Sequence, residues 1–266
     1  MGQLKIDIKK TIEYGQNFGV KYTGGEIKER LISNKVYSDK KIELKLKEIN
    51  WPDIKKNNSN LLKQKIAIAR NLGGLLANRF PDILLVGITG SVAAEYPKEN
   101  EDIDLMIITK KNSLWITRLA VKIWTIVSKI PQRKTGKKQN KNEFCFNLWL
   151  EEGSLKLPNN RQNLRNAMDL ILMKPVVNKN FIYEKFLKSN KWAERYVATR
   201  YNRINPARSS KAGPPSLDKE GRARFNLVSV INWLAFWLQY VYMMGKITDE
   251  TIDIKRAYFH PKHKRC

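Results

Sequence analysis

Apolar residues gather into short unbroken runs in the middle of this chain and spread out to helical spacing on either side. Ile83 to Ile88 is entirely apolar apart from Gly87 and too short for a buried helix, which predicts an inner strand. A second run follows the acidic loop, and it carries Asp102 and Asp104 in the sequence DIDLMIIT. A third, FCFNLWL from Phe144 to Leu150, completes a small strand set. Before these runs the spacing is helical. Thr23 and Glu26 form a capping-box pattern ahead of Ile27, Leu31 and Ile32, and Ser38 to Ile49 and Asn60 to Arg79 continue as helices. Trp51-Pro52 and the polar run Lys55 to Asn60 interrupt them as a turn or wing. Two short helices followed by such a hairpin are compatible with a winged-helix module.

After the second strand, Asn112 to Lys129 predicts an amphipathic helix with Leu114, Trp115, Leu119 and Ile123 on its buried face. Arg118 and Lys122 sit four apart on one side of it, within reach of a phosphate group if that side faces the strands' ends. A basic loop, Lys129 to Lys141, comes next. The last hundred residues read as helical: Gln162 to Lys174, ended by Pro175, then Phe181 to Val197. Arg200 to Arg224 is rich in Pro, Gly, Ser and Arg and reads as a connection or a basic arm. Leu227 to Met244 is uncharged and reaches the lower end of a membrane-spanning length. Ser229, Asn232 and Gln239 nevertheless fall in one sector of it, which favours a helix packed on most sides over a membrane span. A homodimer interface or one wall of a cleft would suit such a helix.

The chemistry concentrates between the first two strands. Alternate residues of an extended chain share a face, so Asp102 and Asp104 project together while Ile103, Leu105 and Ile107 project to the other side. Two carboxylates at one spot raise each other's pKa unless a cation sits between them, and an all-oxygen pair suits Mg²⁺ or Mn²⁺. The Gly90-Ser91 turn supplies a complementary feature. A residue without Cβ lets the backbone approach a ligand closely, and amide groups plus the Ser91 hydroxyl can hold phosphate oxygens.

The combination of an apolar strand, Gly90-Ser91, an acidic loop and the Asp102-Ile103-Asp104 strand resembles the DNA polymerase β-like nucleotidyltransferase superfamily. That resemblance implies Gly90 and Ser91 gripping a nucleoside triphosphate, and Asp102 and Asp104 holding the metal. It also implies an α+β fold, with a small mixed β-sheet nucleotidyltransferase core at residues 60–158 between a helical N-terminal segment, 1–59, and a helical C-terminal region, 159–266. The family places a third carboxylate on the third strand. Here Asn147 holds the nearest equivalent place, and Glu151, two pleats further along, is the acid that would substitute. The activity implied is transfer of a nucleoside monophosphate from an NTP to a hydroxyl acceptor, with release of pyrophosphate. RNA, a small molecule and a protein side chain all stand as acceptors. The alternative from another class is a non-enzymatic nucleic-acid-binding protein with a degenerate, nucleotide-sensing core.

Composition changes this picture in two ways. At 266 residues, with 42% hydrophobic and 28% charged side chains, the chain is of globular type. Its 50 basic residues against 25 acidic ones leave a formal charge of +25, which draws polyanions such as RNA, although Lys-rich composition accounts for part of it. Cys145 and Cys266 offer no disulfide framework or zinc spacing, and His260 with His263 is too sparse for a metal site. MGQLKIDIKK lacks the apolar core of a secretory signal, so the cytoplasm is the expected compartment.

Overall fold

The computed structural model describes residues 2–52, 54, 59–133, 141–205, 227–245 and 250–259. The chain is mixed α and β. Three helices come first: α1 (Gln3–Gln16), α2 (Gly24–Arg30) and α3 (Asp39–Glu48). The capping box of α2 is formed as expected, with the Glu26 amide donating to Thr23 Oγ1 and the Thr23 amide donating to the Glu26 carboxylate. These helices close on their own cluster of Leu4, Ile8, Ile27, Leu31, Ile42 and Leu46. No strand precedes Ile83 among the described residues, and most of the expected wing, at residues 55–58, lies outside them.

The long helix α4 (Ser59–Arg79) leads into β1 (Ile83–Ile88), the single turn α5 (Gly90–Ala93) and β2 (Ile103–Thr109). Helix α6 (Leu114–Val127) then crosses to β3 (Phe144–Glu151). All six residues of β1 are buried, and β2 is buried at every position but Asp104, as their unbroken apolar runs require. β1 and β2 are antiparallel, whereas β2 and β3 are parallel and joined through α6.

Residues 159–266 were expected to be helical, and the structure corrects this. Besides α7 (Leu164–Leu172), α8 (Ile182–Ser189), α9 (Glu194–Ile204) and α10 (Leu227–Met244), this region contributes three strands: β4 (Lys174–Asn178), β5 (Thr251–Asp253) and β6 (Arg256–Tyr258). They complete a six-stranded mixed sheet in the order β4-β1-β2-β3-β6-β5. Pro175, which ends the expected helix, lies in β4 at the sheet's edge, where a residue without an N–H is tolerated.

The sheet divides two apolar layers. On one face Leu85, Met106, Ile108 and Leu150 pack with α7, α8 and α9. On the other, Val86, Ile88, Leu105, Ile107 and Trp149 pack with α4, α6 and α10. Asp104 alternates with Leu105 and so belongs to the α7 side, at the end of the sheet where β1 stops and β2 and β3 begin.

Candidate functional site

The site is assembled at that end from the β1–α5 turn and the starts of β2 and β3. The Thr89 amide donates to the Asp104 carbonyl at 2.9 Å, which continues the β1–β2 ladder by one bond and brings the turn over the Asp104 side chain. Gly90 takes φ +63°, and a Cβ built there would overlap the Asp104 carboxylate. Both the left-handed backbone and the close approach require glycine. α5 is one turn long, too short for a summed helix dipole.

Asp102 and Asp104 come together as the alternation predicts, and Cys145 joins them: two carboxylate oxygens and the Cys145 Sγ lie within 4.8 Å of one another. Asp102 is 5% exposed, and Arg133 Nη1 donates to its Oδ2 at 2.8 Å. Burial and the neighbouring Asp104 raise the Asp102 pKa, while Arg133 opposes them. The Cys145 thiol is pushed up by burial and then by the same two acids. The Lys65 side chain is fully buried, and its Nζ donates to the Glu101 carbonyl at 2.5 Å. Burial lowers the Lys65 pKa against the attraction of Glu101 and Asp102.

Asn147 reaches the pair by an irregular route. β3 runs in parallel register with Asp104 beside Cys145 and Leu105 beside Phe146, but Met106 then pairs with Leu148, leaving Asn147 as an inserted residue. Its amide Nδ2 donates to Asp104 Oδ1 at 2.9 Å. The bulge inverts the alternation beyond it, so that Leu148 and Leu150 face α7 while Trp149 faces the other layer. Glu151 follows Trp149's layer and pairs with Thr109, at the far end of the strand from the acids. Its 2%-exposed carboxylate accepts from the Asn112 and Leu114 amides at the start of α6. Burial raises its pKa in spite of those bonds. Glu151 is therefore no substitute for the third carboxylate, because one inserted residue turns it away.

Arg118 and Lys122 are likewise placed elsewhere. The Arg118 guanidinium donates to Gln239 Oε1 of α10, lies 4.4 Å from the Phe259 ring centre, and is lowered to about 10 by burial. Lys122 Nζ sits 4.8 Å from the centre of the Tyr242 ring, also on α10. Both engage α10 on the face opposite the acids, not a phosphate at Gly90.

Instead, a cavity of about 130 Å³ opens beside Asp104 and Asn147 toward α7. Thr89, Gly90, Arg161, Arg165, Asp169 and Tyr258 line it among others. Arg161 is buried, with its guanidinium 5.0 Å from the Tyr258 ring centre. Thr89 Oγ1 is a buried hydroxyl with no partner on the protein, so the cavity wall contains an unmet polar group. A typical small-molecule pocket holds roughly 300–1,000 Å³, so this one is smaller than most.

Arg161 and Arg165 have no periodic signal that would single them out, since they join the site through the fold of a distant segment. Cys145 was more accessible to reasoning. It shares a face with Asn147 in a regular strand, and counting back from that residue puts it next to the acids. Comparison with known proteins finds no matching family model, no similar curated protein and no similar solved structure.

Proposed function

We propose that the chain is a metal-dependent nucleotidyltransferase, moving a nucleoside monophosphate from an NTP to a hydroxyl acceptor. The observation that carries this reading is the contact between the Gly90 turn and the Asp104 carboxylate, because it sets a phosphate-holding backbone directly against a paired-acid cation site. The donor set fits a divalent cation. Two buried or half-buried carboxylates share a face, and Arg133 offsets part of their mutual repulsion on Asp102. Asp102 and Asp104 would hold Mg²⁺ or Mn²⁺, with the Cys145 thiol beside them. Such an ion supplies charge neutralisation at the triphosphate and lowers the pKa of an acceptor hydroxyl.

The chain's own residues do the positioning. The Gly90 and Ser91 amides and the Ser91 hydroxyl would hold the leaving phosphates. Arg161 and Arg165 in the cavity wall would meet the remaining negative charge. Asn147 fixes one oxygen of Asp104. Rate acceleration on this scheme is mainly orientation and electrostatic stabilisation.

A second reading, a protein that binds the nucleotide without turning it over, draws on β3. Asn147 cannot take a proton, Cys145 is held in its thiol form by burial, and Glu151 lies on the other face. Calorimetric titration of each NTP with Mg²⁺, then with EDTA, tests both. Metal-dependent binding of one NTP to the wild type, weakened at least about tenfold in Asp102→Asn/Asp104→Asn, is the expected result for both readings. Pyrophosphate release in the presence of an acceptor then separates transfer from sensing. Equal binding by the double variant would remove the site assignment.

A further inference from the structure

Helix α10 wears its polarity inside out. Its polar residues Asn232 and Gln239 are 2% and 6% exposed and turn toward α6, where Asn232 Oδ1 accepts from the Trp115 and Ile116 amides and Gln239 Nε2 donates to the Trp115 carbonyl. Its apolar residues turn away: Leu227, Leu234, Leu238, Val241 and Tyr242 are each more than half exposed. The polar stripe expected to mark a helix packed on most sides is thus the packed side, and only 17% of the helix is buried. α6, which packs beside α10, also exposes Ile123, Ile126 and Val127, each by more than half. Exposed apolar residues on two helices packed side by side make a surface that something covers.

The surrounding chemistry selects among occupants. Residues outside the described set are poor in large apolar side chains: 206–226 contain Leu217 and Phe225, 246–249 contain Ile247, and 55–58, 134–140 and 260–266 contain none. A second copy would bring another charge of +25 to the contact. The rim of the face is itself basic, with Lys122 over the Tyr242 ring and exposed Lys129 directly beyond Val127. Trp233 and Trp237 of α10 are both exposed, and amphipathic rings of this kind favour a lipid–water boundary.

We propose that the α6–α10 face docks on the surface of an anionic lipid bilayer. The helices lie in the plane of the interface, with Lys122 and Lys129 extended to the headgroups. A transmembrane course for α10 would uncap α6 and strand the Asn232 and Gln239 amides in hydrocarbon, so the helix stays on its own domain. The acid-paired site lies on the other face of the sheet, so docking leaves it open to solvent.

Co-sedimentation of the full-length protein with vesicles of phosphatidylcholine alone, or of phosphatidylcholine with phosphatidylglycerol, tests this. Wild type should pellet with the anionic vesicles and only weakly with the neutral ones. Leu234→Gln/Leu238→Gln/Val241→Gln should lose more than about tenfold of that binding while keeping its far-UV circular dichroism. Ile126→Gln/Val127→Gln on α6 is the second variant, with the same expectation should the first fail to fold. Failure of the wild type to pellet with anionic vesicles, or undiminished binding by folded variants, overturns the proposal. So does a wild-type dimer in sedimentation velocity that the same substitutions dissociate without any vesicle binding.

Discussion

Asp102 is pushed toward its neutral form by burial and by Asp104, and pulled back by the Arg133 guanidinium, with the upward pressure the larger. Because its pKa is raised on folding, the native state binds its proton more tightly than the unfolded chain does. The associated stability is present below the unfolded-state pKa and is lost as pH rises through the folded one. At pH 7 the ionised group is a net cost in the metal-free protein. Asp102→Asn should therefore melt at a higher temperature than wild type at pH 7 in EDTA, and the gap should close as the pH falls into the carboxylate range. A variant that melts lower at pH 7 would show that the Arg133 pairing outweighs burial. Gly90 has the opposite character. Gly90→Ala must adopt φ +63° with its Cβ against the Asp104 carboxylate, and should cost about 1–3 kcal/mol in urea unfolding and abolish NTP binding. The acid pair and the glycine were both legible in the sequence, because strand alternation and a Gly-Ser turn are local signals. The turning away of Glu151 was not, since an inserted residue in β3 changes the face of everything after it and no apolar pattern announces a bulge.

Among the elements, α6 takes no cap from Ser113, which precedes it: Glu151 of β3 accepts from the Leu114 amide, and Asn232 of α10 accepts from the next two. Two of its orphan amides are thereby met by a residue more than a hundred positions away. Asn232→Ala should lower stability by about 2 kcal/mol through loss of two bonds to buried amides, read as a drop in denaturant midpoint without a change in slope. Helices α4, α6 and α10 and the three inner strands are where the periodicity put them, whereas the helix expected over 181–197 is broken between α8 and α9. β4, β5 and β6 escaped notice for physical reasons. A five-residue strand containing proline and two strands of three residues are too short to carry a period, and only pairing with β1 and β3 makes them strands. The Asn232–Gln239 stripe was correctly seen on one side of α10, but a stripe does not say which side the protein occupies.

At the scale of the whole molecule, the expected partition at residue 159 is not how the sheet is built, since half of its strands come from beyond that point. The N-terminal helices are bound to the site's surroundings as well. Arg30 Nη2 donates to the Ala94 carbonyl at 2.8 Å and the Tyr96 hydroxyl donates to Glu26 at 2.5 Å, so α2 grips the segment directly after the Gly90 turn. Lys174, at the start of β4, pairs with Glu95 of the same segment at 2.5 Å. These long-range ties between charged and polar groups leave no trace in local pattern, whereas the basic surplus was evident from composition alone.

The position of β6 beside β3 has a consequence for how the protein is made. Leu148, Trp149 and Leu150 pair with Tyr258, Ala257 and Arg256, residues synthesised about a hundred positions later. At ordinary elongation rates that interval is on the order of ten seconds, during which the apolar edge of β3 has no covering strand. An uncovered strand edge recruits other chains. Chains whose synthesis stops between Glu151 and Thr251 would thus be prone to aggregate, with the edge of β3 left open.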